Sequence, residues 1–88
     1  MNRVFFAGTL KARPEITYTP KGEKVAAFPL LVEEGDMRID VVHVGELDGE
    51  GLSQQVGKEI MVAGMLTQVK ARPQHMKVRA HKIFWMED

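Results

Sequence analysis

The side chains with the clearest chemistry in this sequence are five cations near its C-terminal end. Between positions 70 and 82 the chain carries five Lys and Arg residues and no Asp or Glu, with His75 and His81 interleaved. A stripe of this kind can hold phosphate groups even on a protein without net charge. It can also keep the exposed face of a β-strand from pairing with other chains, which requires no ligand. Composition alone favours this second interpretation.

The formal net charge of zero conceals a separation of charge along the 88 residues. Twelve Lys and Arg balance twelve Asp and Glu. Residues 1–25 carry a net charge of +3, residues 33–59 a net charge of −6, and residues 60–88 a net charge of +3. The net charge therefore gives no reason for the whole molecule to attract a polyanion. A local basic surface can still attract one.

Enzymatic function finds little support. The absence of Cys excludes disulfides, thiolate zinc sites and cysteine nucleophiles. The sequence also contains no motif of a phosphate-binding loop, of a zinc-protease helix or of the nucleophile turn of a serine hydrolase. Asp40 and His43 lie three positions apart on a predicted strand, so they face opposite sides. We expect no enzyme, no cofactor, no metal site and no small-molecule substrate. The central carboxylates are better explained as a solvated surface: Asp36, Asp40, Glu46 and Asp48.

Length and composition indicate one globular domain spanning residues 1–88. Apolar residues make up 44% of the chain and charged residues 27%, which is typical of a folded protein rather than a disordered one. The first residues lack the apolar region of a signal peptide, and no apolar run approaches about 18 residues. We therefore expect a cytoplasmic protein that does not bind a membrane.

The apolar pattern predicts five β-strands and one short helix. Alternating or continuous runs of Val, Ile, Leu and Phe lie between Gly- and Pro-containing turns. Only Glu46–Val56, ended by Gly57, has helical spacing, and its two internal glycines predict a short helix held by packing. The predicted strands are Arg3–Leu10, Val25–Glu33, Met37–Val44, Glu59–Lys70 and Met76–Met86. Five strands with a helix between the third and fourth predict an all-β fold, a Greek-key barrel of the OB type.

The last strand changes register near its end. Three alternating residues face inwards at its start: Met76, Val78 and Ala80. The pattern slips near Lys82, which predicts a β-bulge. Beyond it, Ile83 and Trp85 face the core, whereas Phe84 and Met86 face outwards or contact another subunit. We expect Trp85 to be fully buried, close to the side chains of Phe28 and Ile60.

Several segments together resemble the bacterial single-stranded DNA-binding protein family. The most specific is the Pro-Glu-x-x-Tyr-Thr-Pro-x-Gly run of residues 14–22. The other matching segments are Asn2–Leu10, Val25–Leu30, Asp40–Gly45 with Leu47, Val62–Leu66 and Val78–Ile83. Related primosomal replication proteins, which are OB-fold dimers, are similar in size. In the Pro-Glu run we expect Gly22 to adopt positive φ, and Tyr18 to pack under the turn with its hydroxyl hydrogen-bonded.

The resemblance implies single-stranded DNA as the partner, but this chain departs from the family at several positions. The family's recurring aromatic side chains fall here on Arg38, Val44 and Ala71. Each stacked base contributes about 1–3 kcal/mol, so their loss predicts weaker binding. The family's acidic C-terminal tail has no counterpart within these 88 residues. The predicted loops between strands 2 and 3 and between strands 4 and 5 are short. Pro29 replaces a family Thr, which predicts a bulge or an unpaired edge.

Without these aromatic side chains, the positively charged residues are the remaining candidates for contacting DNA. Arg3 falls on a family cation, and Arg38 can stack its guanidinium plane on a base. The candidate nucleic-acid-binding residues are Arg3, Lys11, Arg13, Arg38, Lys70, Arg72, Lys77 and Arg79. Four acidic residues should repel the DNA strand and so limit where it can lie: Glu33, Glu34, Asp36 and Asp40.

Two functions follow from these residues. The first is single-stranded DNA binding in replication, recombination or repair, with little sequence preference and mainly through phosphates. The alternative is an OB-fold protein-interaction module of a replication or recombination complex, with little DNA affinity. Strand 1 is apolar on both faces at Val4–Ala7, so we also expect a homodimer formed partly through this strand, or a homotetramer.

Overall fold

Alternating apolar residues form six β-strands and one short helix in the computed structural model, which describes residues 1–85. The elements are β1 (Val4–Leu10), β2 (Glu15–Tyr18), β3 (Lys24–Val32), β4 (Met37–Val44), α1 (Gly49–Ser53), β5 (Glu59–Val69) and β6 (Arg72–Phe84). No helix in this part of the chain is both long and apolar enough to cross a membrane.

Five of the strands close into a ring. The sheet order is β1-β5-β6-β4-β3-β2, and β1 also pairs with β3. This closing contact consists of two antiparallel residue pairs, Thr9 with Leu31 and Leu10 with Leu30. The β4–β6 pair is parallel and every other pair is antiparallel. The predicted five-stranded OB barrel, with one helix between its third and fourth strands, is therefore confirmed.

The barrel core is lined by one face of each strand and closed at one end by the helix. Leu52, the buried residue of α1, has no exposed surface and belongs to the core cluster. The helix begins where the Asp48 side chain accepts a hydrogen bond of 2.9 Å from the amide of Gly51. It is shorter than the predicted Glu46–Val56. The buried core comprises Leu10, Phe28, Leu30, Val32, Val41, Leu52, Ile60, Val62, Val78 and Ala80.

The segment after Pro14 first forms a strand and then turns, whereas the sequence predicts only a turn there. Residues 15–18 form β2, which pairs with β3 outside the ring. Tyr18 is 67% exposed and makes no hydrogen bond within residues 1–85, so the predicted packing of its ring under the turn is wrong. The Tyr-Thr-Pro-x-Gly run nevertheless turns as expected, because Gly22 has φ of +87°.

The predicted bulge lies at His81 in β6. Ala63 of β5 pairs with Lys82 and Gly64 pairs with Ala80, so His81 has no partner in that ladder. Ile83 and Trp85 pack against the core, as predicted, and Phe84 is 44% exposed. Trp85 is half-buried, however, because it lies past the end of β6 at the mouth of the barrel. Met86, the other predicted outward residue, lies outside the described residues.

For Pro29 the second of the two predicted alternatives is confirmed: the β3–β4 register continues through it without a bulge, and it has no register partner in β1 or β2. Two other predictions need correction. The last strand begins at Arg72 rather than at Met76, so the β5–β6 turn is Lys70-Ala71. Met76 is 45% exposed, since this part of the hairpin projects beyond the core.

One inward position of β4 carries a titratable side chain. His43 follows Val41 on the core-facing side and pairs with Ala26 in the register. Its Nδ1 atom is buried and has no hydrogen-bond partner within residues 1–85. Burial, and to a smaller extent the charge of nearby His81, lower the pKa of His43 from its ordinary value of 6.5.

The close contact of β5 and β6 beside the bulge depends on Gly64. A Cβ atom at this position would overlap the carbonyl oxygen of Arg79 and would lie 2.8 Å from the Cα of Ala80. We expect Gly64→Ala to lower the free energy of unfolding by about 1–3 kcal/mol. Urea denaturation measures this, with Ala63→Ser as the control, which should change stability by less than about 0.5 kcal/mol. Equal stabilities of the two variants would contradict the close contact.

The lowered pKa of His43 should make stability depend on pH. The pKa of His43 is higher in the unfolded state than in the folded state, so the neutral side chain favours the folded state fully above about pH 6.5. This contribution to stability is lost as pH falls through the folded-state pKa. We expect the free energy of unfolding to decrease from about pH 7 to about pH 5, and to decrease less in His43→Gln. The exposed His75→Gln is the matched control. An unchanged pH dependence in His43→Gln would refute this role.

Candidate nucleic-acid interface

The outer faces of β4 and β6 bring cations from distant parts of the sequence together. These strands pair in parallel, with Asp40 beside Lys77 and Val42 beside Arg79. Because alternate residues of a strand share a face, the outward positions of β4 continue to Arg38 on one side and Val44 on the other. The buried Val41 and Val78 confirm that the intervening residues face the core.

A groove of about 380 Å³ crosses this surface. Its floor contains Val42 and Val44, and the cations Lys77 and Arg79 line one side. Thr67 of β5 lies on that side too, and its hydroxyl donates a hydrogen bond of 3.4 Å to the carbonyl of Lys77. Apolar floor and cationic wall together can accommodate sugars and bases below and phosphates beside them.

The opposite rim belongs to the turn between β2 and β3. Thr19 and Glu23 line the groove there. The Thr19 carbonyl accepts a hydrogen bond of 2.8 Å from the Gly22 amide, and the Thr19 hydroxyl accepts one of 3.1 Å from the Glu23 amide. The positive φ of Gly22 closes this turn. Sequence inspection identified the turn but not its place at the groove, because only barrel closure brings it over β4.

A second depression of about 230 Å³ extends the groove along β4 towards Arg38. Val42 lines both depressions, which are therefore neighbours along β4. Arg38 is exposed, and Asp40 and Glu15 are the carboxylates of this second part. The path is therefore cationic at each end, with Asp40 between the cations. Asp40 thus lies within the cationic surface rather than at its border, and its charge there opposes a phosphate.

The eight predicted cations are not all at one place. The structure places Lys77 and Arg79 in the groove and Arg38 in the depression next to it. Lys70 and Arg72 lie at the tip of the β5–β6 hairpin, past its second register shift. The remaining three are all exposed and lie in or next to β1: Arg3, Lys11 and Arg13.

Arg3 and the pair Lys11 and Arg13 lie at opposite ends of β1. The Asn2 side chain holds the start of the strand on β5, donating to the Leu66 carbonyl at 2.7 Å and accepting from its amide at 3.0 Å. Arg3 is thereby placed one residue from the Val4–Gly64 pair. Lys11 and Arg13 instead follow Leu10, beyond the far end of the strand. They are not part of the groove.

Among the residues that the structure describes, no exposed aromatic ring lines the groove or the depression next to it. Val44 occupies its floor, and Ala71 lies in the hairpin turn, so neither offers a stacking surface. Phe28 reaches the second depression, but it is 3% exposed and belongs to the core. Contacts available in this groove are therefore ionic and aliphatic.

A larger cavity lies elsewhere and has a different character. It measures about 470 Å³ and lies beside α1, where Asp48, Glu50, Lys58 and Trp85 contribute to its lining. The carboxylates of Asp48 and Glu50 would repel a phosphate backbone there. Among residues 1–85, no group of three or more His, Asp or Glu side chains is arranged to hold a metal ion.

Comparison with solved structures places the fold. The wild-type single-stranded DNA binding protein from Thermus aquaticus superposes with a TM-score of 0.82 at 27% identity, and a deletion mutant of that protein superposes with 0.81 at 28%. Both cover 100% of this chain, which spans only 41–42% of theirs. Comparisons with family models and with curated sequences gave no match.

Two further structures agree in fold at lower identity. The SSB domain of a Synechococcus protein has a TM-score of 0.78 at 17% identity, covering 94% of this chain and 93% of its own. The second single-stranded DNA binding protein of Mycobacterium smegmatis has 0.75 at 18%, covering 94% and 86%. The resemblance found in the sequence is confirmed: the chain has the SSB-like OB-fold of the bacterial single-stranded DNA-binding protein family.

Proposed function

We propose that this protein binds single-stranded DNA without sequence preference, mainly through phosphate contacts, in replication, recombination or repair. The observation that carries the proposal is the cationic surface on β4 and β6, where Lys77 and Arg79 line a groove with a floor of valines and Arg38 lines the depression next to it. The Thermus aquaticus proteins named for this activity support it, although the chain spans about two fifths of their length.

The place of the groove agrees with the way OB-folds bind oligonucleotides. In these folds the face of the second and third barrel strands, with the loops that flank it, forms the binding surface. Here those strands are β3 and β4: β4 forms the floor of the groove, and β3 contributes Ala27 and Pro29 to the depression next to it. The flanking elements are the β2–β3 turn and the β5–β6 hairpin. A strand lying in the groove meets cations along its backbone while its bases rest on aliphatic side chains.

The contacts available predict how binding behaves. Backbone phosphates are the same for every sequence, so cations that contact them position a strand without discriminating between bases. Each contact also releases condensed counterions, so affinity falls as salt rises. Without aromatic rings in this groove, binding there depends more on ionic contacts than in a groove that stacks bases.

Salt dependence tests this mechanism. With four to six phosphate contacts, a plot of log K against log salt for oligo(dT) should have a slope of about −3 to −4. Lys77→Ala with Arg79→Ala removes two contacts, so the slope should become shallower by about 1.4. Fluorescence anisotropy of a labelled oligonucleotide, at several salt concentrations, measures both slopes.

The matched control is Lys11→Ala with Arg13→Ala, which removes two exposed cations outside the groove. This variant should keep nearly the slope of the unmodified protein. Equal effects of the two double variants would show that the groove has no special role. No binding at low salt, or a flat response, would favour the protein-interaction module instead.

We further propose that the protein is a homodimer paired through β1. On one side β1 pairs with β5 from Val4 to Thr9, whereas on the other side only Thr9 and Leu10 pair with β3. The edge of residues 4–8 has no other strand beside it in the described chain. An open edge of this kind is a template for antiparallel pairing with a second copy.

Sedimentation equilibrium tests the dimer. We expect a mass of twice that of the 9.9 kDa chain at tens of micromolar protein, because edge pairing joins main-chain groups and apolar surface. A monomer at these concentrations would exclude the dimer and leave the DNA-binding proposal untouched.

A further inference from the structure

The cavity beside α1, called the α1 cavity below, combines carboxylates with a tryptophan ring. Its volume of about 470 Å³ is within the usual size range of binding pockets in proteins. Three parts of the chain form it: α1 with the residue before it, the turn from α1 to β5, and the end of β6. Its polar and aromatic lining comprises Asp48, Glu50, Gln54, Gln55, Lys58 and Trp85. None of these residues lines the β4–β6 groove, so the α1 cavity is a separate surface.

Packing at the end of the barrel holds these groups in place. Leu52 of α1 is completely buried in the core, and Trp85 packs against the same core cluster. Leu10, the last residue of β1, fixes the turn from α1 to β5. Its amide donates to the Lys58 carbonyl at 3.1 Å, and its carbonyl accepts from the Gly57 amide at 2.8 Å. The fold itself therefore positions the lining of the α1 cavity.

The side chain of Gln55 is a buried polar group in this lining. The residue is only 6% exposed. Its main-chain amide donates to the Leu52 carbonyl at 2.9 Å, and its main-chain carbonyl accepts from the Lys58 amide at 2.8 Å. Its side-chain amide, in contrast, has no hydrogen-bond partner within residues 1–85, and it lines the α1 cavity. Burying an amide without a partner is unfavourable, so this position indicates a hydrogen bond to a ligand.

The charge of the α1 cavity is negative. Asp48 and Glu50 are exposed and face one cation, Lys58, among the described lining residues. One oxygen of the Asp48 carboxylate accepts the capping hydrogen bond from Gly51, which leaves the other oxygen for a ligand. Residues 33–59, which include the helix, carry a net charge of −6. This region of the protein therefore attracts cationic groups.

Trp85 adds a flat ring to these carboxylates. The residue is half-buried, so the core holds part of the indole while another part is accessible. A guanidinium group can stack on an indole face and form paired hydrogen bonds with a carboxylate at the same time, because its donors lie in the plane of the group. A lysine ammonium is a compact charge without a flat face and fits this combination less well. The chemistry of the α1 cavity thus selects arginine.

We propose that the α1 cavity binds an arginine side chain on an extended, basic segment of a partner protein. The guanidinium stacks on Trp85 and pairs with Asp48 and Glu50, and the side-chain amide of Gln55 bonds the main chain of the segment. The proposal goes beyond DNA binding. The cations of the groove repel a basic segment, whereas the carboxylates at α1 attract it, so DNA and the partner protein would occupy different surfaces.

A short peptide tests the proposal. The probe is the blocked peptide acetyl-Gly-Arg-Gly-Arg-Gly-amide, and the readout is the indole N–H signal in a heteronuclear NMR spectrum, since Trp85 is the only tryptophan of the chain. We expect this signal to shift and to saturate as the peptide is added. The same peptide with citrulline, which is neutral but similar in shape, should leave the signal unchanged. The lysine version should bind at least about threefold more weakly.

Two double variants separate the charge in the cavity from charge elsewhere. Asp48→Asn with Glu50→Gln should weaken binding of the arginine peptide about fivefold, because two exposed ion pairs are lost. Asparagine caps a helix as well as aspartate does, so this variant should keep the fold. The matched control is Glu33→Gln with Glu34→Gln, which removes two exposed carboxylates from the β3–β4 turn and should change the affinity less than twofold.

Gln55→Met separates a ligand-binding role of this residue from a structural one. Methionine has a similar shape but no amide, so peptide binding should weaken about fivefold. The urea midpoint should stay the same or rise, because the replaced amide has no partner in the protein. A lower midpoint with unchanged peptide binding would give Gln55 a structural role and overturn its part in the proposal.

Three other results would overturn the arginine site itself. They are an unshifted indole signal, an equal response to the citrulline peptide, and equal losses of affinity in the two double variants. Arginine amide that binds as tightly as the peptide would assign the α1 cavity to a small molecule and overturn the partner segment. All of these measurements are made without DNA, so they are independent of the oligo(dT) experiments.

Discussion

Closure of the ring by β1 is the constraint on which the rest of this structure depends. The strand pairs with β5 along most of its length, and its last two residues pair with β3. Gly8 makes the transition possible, because a Cβ atom there would overlap the carbonyl oxygen of Leu31 and come within 3.0 Å of the Leu30 side chain. Closure buries Leu10 completely and satisfies the hydrogen-bonding groups of both sheet edges at this point. It also leaves the first half of β1 with an open edge.

A closed barrel of this size uses its inner face entirely for packing, so binding has to occur outside. Val41 and Val78 are buried, and their neighbours Val42 and Arg79 form part of the groove. Residues that pack in the core and residues that form the outer surface alternate along the same strands. A substitution in the groove therefore leaves the core intact, whereas a shift of register by one residue would exchange the faces and destroy both. Register is what connects stability to function in this molecule.

The barrel was predictable from the sequence because strand alternation and turn residues are local signals. The bulge was predictable too, since the slip of alternation near Lys82 has no other simple cause. The meeting of Arg38 of β4 with Lys77 and Arg79 of β6 on one side of the barrel is not predictable, because residues paired across strands are distant in sequence. For the same reason the sequence does not show that Lys11 and Arg13 lie apart from the groove. Short β2 was missed since its four residues are all exposed and carry no burial pattern.

Arg38, Lys77 and Arg79 come to one side of the barrel because β4 and β6 pair in parallel, with Asp40 beside Lys77 and Val42 beside Arg79. The valines between these cations give bases only weak aliphatic contact, so phosphates are the main groups that this surface can hold. Ionic contacts weaken as salt rises, because each one releases condensed counterions when it forms. A strand held in the groove alone would therefore be released at a lower salt concentration than a strand that also stacks its bases on aromatic rings.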